Sequence, residues 1–146
     1  MDAPPPPDHI IHATTISVEG RAALIVGPSG AGKSSLALQM IALGARLVAD
    51  DRTVLERQND AILARPPDTI AGLIEARGVG LLSIEFDSAV PVALVVDLSR
   101  REAERLPEKR SYEVLGIKFP CLLHAPSPHF AASILLYLTQ TIPPAA

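Results

Sequence analysis

Aromatic residues are scarce: the chain of 146 residues holds no Trp, two Tyr and three Phe. With a formal net charge of −3, it offers neither the stacking surfaces nor the cationic footprint of a nucleic-acid binder. The single cysteine, Cys121, excludes an internal disulfide, and its apolar neighbours make it a small core residue and not a nucleophile. No apolar run approaches the ~20 residues that cross a bilayer. The N-terminal MDAPPPPDH has neither the charged nor the apolar region of a secretory leader. These absences predict a cytoplasmic protein with no nucleic-acid or membrane partner. What remains, 48% hydrophobic and 20% charged residues, is ordinary for one α/β domain with a sizeable core.

The informative segment is GPSGAGKS, Gly27–Ser34, which fits GxxxxGK[ST] in full. It follows the apolar run Ala22–Val26 and opens a stretch with Leu36, Met40, Ile41 and Leu43 at helical spacing, ended by Gly44. Strand, glycine turn and helix are the setting in which backbone N–H groups converge on phosphate oxygens at a positive helix end. In that setting Gly27, Pro28, Ser29, Gly30, Ala31 and Gly32 form the cradle. Lys33 reaches the β/γ-phosphates and the Ser34 hydroxyl holds Mg²⁺. The expected ligands are ATP and Mg²⁺.

Around this segment the pattern predicts an α/β domain: a mixed central β-sheet flanked by helices. The prolines at 4–7 make residues 1–9 a disordered lead-in, so the domain is expected over 10–142. Strands are expected over Ile10–Val18, Arg21–Val26 and Arg46–Ala49. A hairpin, Thr53–Arg57 with Ala61–Arg65, turns at Asn59-Asp60, and ARGVGLLSIEF leads into a further strand. Val90–Leu98 reads as a central strand buried on both faces. Strands near Tyr112–Leu115 and Lys118–Leu123 precede a helix capped by Ser127 and running over Ala131–Leu138. Short helices are expected from Asp68 to about Glu75 and over the charged Ser99–Leu106.

A phosphate loop needs an acid from the end of a neighbouring apolar strand. LVADD ends in Asp50 and Asp51, and VALVVDL carries Asp97. On strand pattern alone Asp97 is the better match, because the run before it is longer and wholly apolar. The alternative role for Asp50 and Asp51 is to close the strand end or to pair with Arg52.

IHATTISVEGRAALIVGPSGAGKSSLALQMIALGARLVADD resembles the catalytic domain of the bacterial HPr kinase/phosphorylase family, in its histidine, its GxSGxGKS loop and its LVADD strand end. IEARGVGLL, Ile74–Leu82, is similar to that family's second signature. The likeness covers most of residues 10–140 and favours Asp51 over Asp97. It implies Asp51 as general base, Asp50 as its electrostatic support and Lys33 as charge neutraliser. It further implies Ser34 and Glu75 at the metal, with Arg77 in the same signature. His12 would lie near the phosphates, and Arg105 would enter an active site, across a subunit boundary. The implied reaction is phosphorylation of a serine on an HPr-like phosphocarrier protein by a homo-oligomer, a hexamer in that family. Two rivals are a small-molecule P-loop kinase and an ATP-binding regulatory module that transfers nothing.

The departures are specific. The family's additional N-terminal domain is replaced by the proline-rich lead-in, so a minimal catalytic unit is expected. Pro28 and Ser35 stand where acidic residues are common, and Pro107 follows Arg105 where glycine is usual. The basic loop associated with dephosphorylation becomes HAPSPHF, His124–Phe130, without Lys or Arg. The kinase direction is therefore better supported than the phosphorylase direction.

Overall fold

The computed structural model describes residues 9–140. Apart from His9, the expected lead-in over 1–9 lies outside the described residues, as does the expected domain end at 142. The described chain runs β1 (His9–Ile11), β2 (Ala13–Val18), β3 (Arg21–Val26), α1 (Lys33–Ala42), β4 (Arg46–Ala49), β5 (Thr53–Gln58) and β6 (Ala61–Arg65). It continues through β7 (Leu73–Ala76), β8 (Gly80–Ser83), β9 (Val90–Arg101), β10 (Ser111–Val114), β11 (Ile117–His124) and α2 (Phe130–Thr139).

Nine strands form one mixed, curled sheet in the order β1-β5-β6-β9-β3-β2-β4, with β11 also against β9 and β10 against β11. β7 and β8 make a separate hairpin. β9 pairs in parallel with β3 and with β11. β4 is antiparallel to β2, and β2 to β3. It follows that β3, β4, β9 and β11 all point the same way, and their carboxyl ends share one rim of the sheet. That rim is where ligands gather in open α/β sheets.

Residues alternate across β3 and both sides are buried. Ala23 and Ile25 meet Leu36, Ala37 and Met40 of α1 and Ala131, Ile134 and Leu138 of α2. Ala22, Leu24 and Val26 meet Val48, Leu55, Ile62 and Phe119 on the other face. This two-sided burial is why the strand reads as a continuous apolar run. Both helices lie on one face, and the other is covered by the sheet's own β5–β6 and β10–β11 hairpins. Met40 is fully buried; truncating such a residue to Ala costs about 2–5 kcal/mol.

Several local expectations give way to tertiary context. The strand expected over Ile10–Val18 is two strands: β1 pairs with β5, β2 pairs with β3 and β4, and His12 stands at the break. Asp68 opens only a single 3-10 turn, Asp68–Ile70. Gly72, at φ +77°, ends it; a Cβ there would lie 2.9 Å from the Ile84 carbonyl oxygen. The chain then enters β7. The helix expected over Ser99–Leu106 is absent, because β9 runs on beside β11 to Arg101. The Glu102 N–H then donates to the His124 carbonyl, 2.8 Å. Ser127 does not cap α2 directly: its hydroxyl accepts the His129 N–H at 3.2 Å, one residue before the helix.

Candidate functional site

β3 delivers the chain into the glycine loop at the shared rim. At Gly27, φ is +148° and a Cβ would lie 3.3 Å from Leu98 Cβ, so only glycine lets the loop pass so close to β9. Gly32 precedes α1 at φ +98°, with no side chain capping the helix and no acid in its first turn. The helix end is left open to an outside anion. Lys33 is 7% exposed. Its Nζ donates to the carbonyls of Gly27 (2.8 Å) and Pro28 (3.0 Å), and no carboxylate among the described residues pairs with it. A buried cation held by neutral carbonyls is poised for an anion, because charge-assisted bonds to phosphate are about twice as strong as neutral ones.

β4 brings the two acids. After Leu47, Val48 and Ala49, all buried, Asp50 is 8% exposed. Its Oδ1 accepts the Ser34 hydroxyl (2.6 Å) and the Thr14 hydroxyl (3.0 Å), and its Oδ2 accepts the Glu75 N–H (3.0 Å). Asp50 thus ties α1, β2 and β7 together at one carboxylate. The next residue turns away. Asp51 has φ +68°, and the Arg52 N–H donates to the Asp50 carbonyl at 2.7 Å. An i→i+2 bond around a positive φ is a γ-turn of the strained kind. Such a conformation costs a non-glycine residue of order 1–3 kcal/mol. The Asp51 N–H donates to Thr14 Oγ1, 3.1 Å, and His12 Nε2 lies 2.6 Å from Asp51 Oδ1.

A cavity of about 370 Å³ opens beside these groups; Asp50 and Thr14 are not among its walls, and Asp50 touches it only through Ser34. Its walls include His12, Lys33, Ser34, Asp51, Glu75 and Arg77, together with Ser29, Gly30 and Gly32 of the loop. Arg105 is not among them: it is exposed, in the segment between β9 and β10. Asp97 is not there either. Leu94, Val96 and Leu98 of β9 face the helices, so Asp97 belongs to the opposite face. Its Oδ1 accepts the N–H (2.9 Å) and the hydroxyl (2.6 Å) of Ser99. Burial, reinforced by the Asp97 charge, pushes the Cys121 thiol up to about 11, in keeping with a core cysteine.

No group of three or more His, Cys, Asp or Glu side chains placed to hold a metal occurs among the described residues. Ser34 Oγ and Asp50 Oδ1 nevertheless meet as two oxygen ligands, and Glu75, whose backbone N–H is what contacts Asp50, lines the same cavity as Ser34. Such a set suits Mg²⁺, which takes one or two protein oxygens and completes its shell from phosphates and water. Sequence reasoning missed Thr14, whose single hydroxyl joins Asp50 to the Asp51 turn. The available signal was two polar residues, Thr14 and Thr15, both fully buried inside an apolar strand.

The sequence model of the HPr Serine kinase C-terminal domain matches residues 6–122. The chain is 35% identical over 126 residues to a HPr kinase/phosphorylase of Peptoclostridium acidaminophilum, covering 82% of this chain and 41% of that protein. It is 40% identical over 121 residues to a HPr kinase/phosphorylase of Polaromonas naphthalenivorans, covering 73% and 38%. It thus spans about two fifths of the length of these relatives. The solved structure of the Hpr(Ser) kinase/phosphatase from Coxiella burnetii superposes with a TM-score of 0.74 at 24% identity, covering 90% of this chain and 88% of that one; it shows the same fold. With the glycine loop, the paired aspartates and the Glu75 segment all within the matched span, the chain belongs to the HPr Serine kinase C-terminal domain family.

Proposed function

We propose that this chain is a kinase that moves the γ-phosphoryl group of ATP to a serine hydroxyl of an HPr-like phosphocarrier protein. The observation that carries the reading is Asp51: a carboxylate on a strained turn, in one cavity with the Lys33 ammonium and the Ser34 hydroxyl. Asp51 accepts the proton of the serine hydroxyl as its oxygen bonds to the γ-phosphorus and the bond to the leaving β-phosphate oxygen breaks. His12 holds the Asp51 carboxylate in place. Lys33 leaves its two carbonyls for the β/γ-phosphates, and Arg77 adds a second positive charge at the cavity wall. Asp50 and Glu75, with Ser34, would hold Mg²⁺, which would supply neutralisation of the phosphate charge.

The kinase direction is favoured over phosphorolysis. An attacking phosphate needs cationic partners, and His124 and His129 do not line the phosphate cavity. Arg105 is proposed to act from a neighbouring subunit of a homo-oligomer, a hexamer by family likeness. No helix among the described residues is long and apolar enough to cross a membrane, and action in the cytoplasm is part of the proposal. The test is incubation with γ-labelled ATP, Mg²⁺ and purified HPr-type carriers, with mapping of the modified residue. Labelled phosphoserine on the carrier, abolished by Lys33→Ala, is the expected result. ATP binding without any phosphoprotein would indicate a nucleotide-binding regulatory module instead.

A further inference from the structure

A second recess opens on the other flank of the α1 N-terminus. Its volume is about 260 Å³, and Leu36, Leu98 and Phe130 line it. The His124 ring stands beside Phe130, with centroids 5.9 Å apart and planes inclined by 36°. Gly32 and Ser35 line both this recess and the phosphate cavity, so the two meet across the first turn of α1. Polar groups are few and lie at the edge. The exposed Gln39 side-chain amide has no hydrogen-bond partner among the described residues. The Ser127 hydroxyl accepts the His129 N–H and keeps its own proton for a ligand. No Lys or Arg lines the recess, which disfavours an anion there.

The direction of a bound triphosphate follows from the two flanks. The γ end belongs beside Asp51, Glu75 and Arg77, where the acids and the second cation stand. Three phosphates laid along the loop then bring the α end, and whatever it carries, to the opposite flank past Ser35. What waits there is an apolar and aromatic surface with an amide and a hydroxyl at its margin, the usual makeup of a site for a flat heterocycle.

We propose that this recess is the base subsite: it takes a purine, with the ring face on Phe130 and Leu98 and the polar edge at Gln39. A purine's two rings cover more of these walls than a pyrimidine's one. The proposal rests on the nucleotide reading above and adds where the nucleoside lies and which base is preferred.

Calorimetric titration of the whole chain with ATP, CTP and inorganic tripolyphosphate, each with Mg²⁺, separates the two. Wild-type protein is expected to bind ATP at least about tenfold more tightly than tripolyphosphate, with CTP between them. Phe130→Ala should remove most of that advantage, and Gln39→Ala, at an exposed position, should weaken ATP about fivefold. Tripolyphosphate affinity should be unchanged in both variants, which also controls for loosening of the fold around Phe130. Tripolyphosphate binding as tight as ATP in the wild type, equal losses for both ligands, or ATP affinity unmoved by both substitutions would each overturn the base subsite. Failure of the wild type to bind either ligand would overturn the phosphate-loop reading itself, and this proposal with it.

Discussion

β4 and β9 both carry an apolar run that leads up to an aspartate at the same rim of the sheet, β9 continuing beyond it to Arg101, yet only β4 leads into an acid of the cavity. β9 lies directly beside β3, with Asp97 opposite Val26. β4 lies beyond β2, at the end of the strand order. Adjacency favours β9, and side-chain direction reverses the outcome. Asp97 alternates onto the face away from α1 and is engaged by Ser99. Asp50 reaches Ser34, and the γ-turn swings Asp51 past it to His12. In a strand, a shift of one residue moves a side chain from one chemistry to another, so the length and hydrophobicity of the run say little about which acid serves.

The largest effect should come from exchanging the acids. Asp51→Asn keeps the shape and removes the proton acceptor, so transfer to the carrier should fall at least about 100-fold with ATP affinity kept, read from kcat and from titration separately. Asp97→Asn should leave turnover within about threefold. The reverse ranking would break the comparison.

Next in size is Thr14→Val. It leaves the Asp51 N–H without its acceptor and removes one of three donors to Asp50. The Asp51 N–H is part-buried, so losing its acceptor should cost about 1 kcal/mol, the low end for an unpaired polar group, measurable as a drop in denaturant midpoint together with slower transfer. A matching Ser99→Ala change at the end of β9 should affect stability only.

A smaller effect concerns how β4 is held. Burial would raise the Asp87 carboxyl, but hydrogen bonds from Ser17 and Arg46 outweigh this and lower it. Ser17 Oγ and Arg46 Nε donate at 2.8 and 2.7 Å, and the Asp87 N–H donates to the Leu47 carbonyl at 2.8 Å. Because the folded value lies below the unfolded one, this clamp stabilises the fold above the ordinary carboxylate range and is lost as pH falls through the folded value. Asp87→Asn should therefore flatten the acid limb of the stability profile, by about 1 kcal/mol, in denaturant titrations from pH 7 down to 3.

The smallest effect is at β9. Native Cys121 should resist alkylation at pH 8, because its thiol titrates near 11. Asp97→Asn should lower that value and speed the reaction, a rate measurable by mass spectrometry.

Much of this was legible in the sequence because it is local. The glycine loop declares itself by residue type, and β3 and β9 by continuous apolar runs. The Glu19-Gly20 turn between β2 and β3, with φ of 52° and 76°, follows from a glycine between two β-rich segments. What was hidden is non-local. Nothing near His12 signals that the strand changes partners there, since the partners come from beyond α1, as β4 (Arg46–Ala49) and β5 (Thr53–Gln58). The charged Ser99–Leu106 has helical composition, but pairing with β11 overrides it. The separation of Asp51 from Asp97 required the family likeness, because facing direction depends on the whole sheet.

The turn at Asp51 also bears on redesign. Any procedure that ranks residues by what the local backbone prefers would write glycine at φ +68°, and by that measure it would be right. The substitution should raise the melting temperature, the strain relieved being of order 1 kcal/mol. It would also delete the carboxylate that His12 holds in the cavity. A more stable and inert protein would be the product, so position 51 marks a place where optimising the scaffold and preserving the reaction are opposed aims.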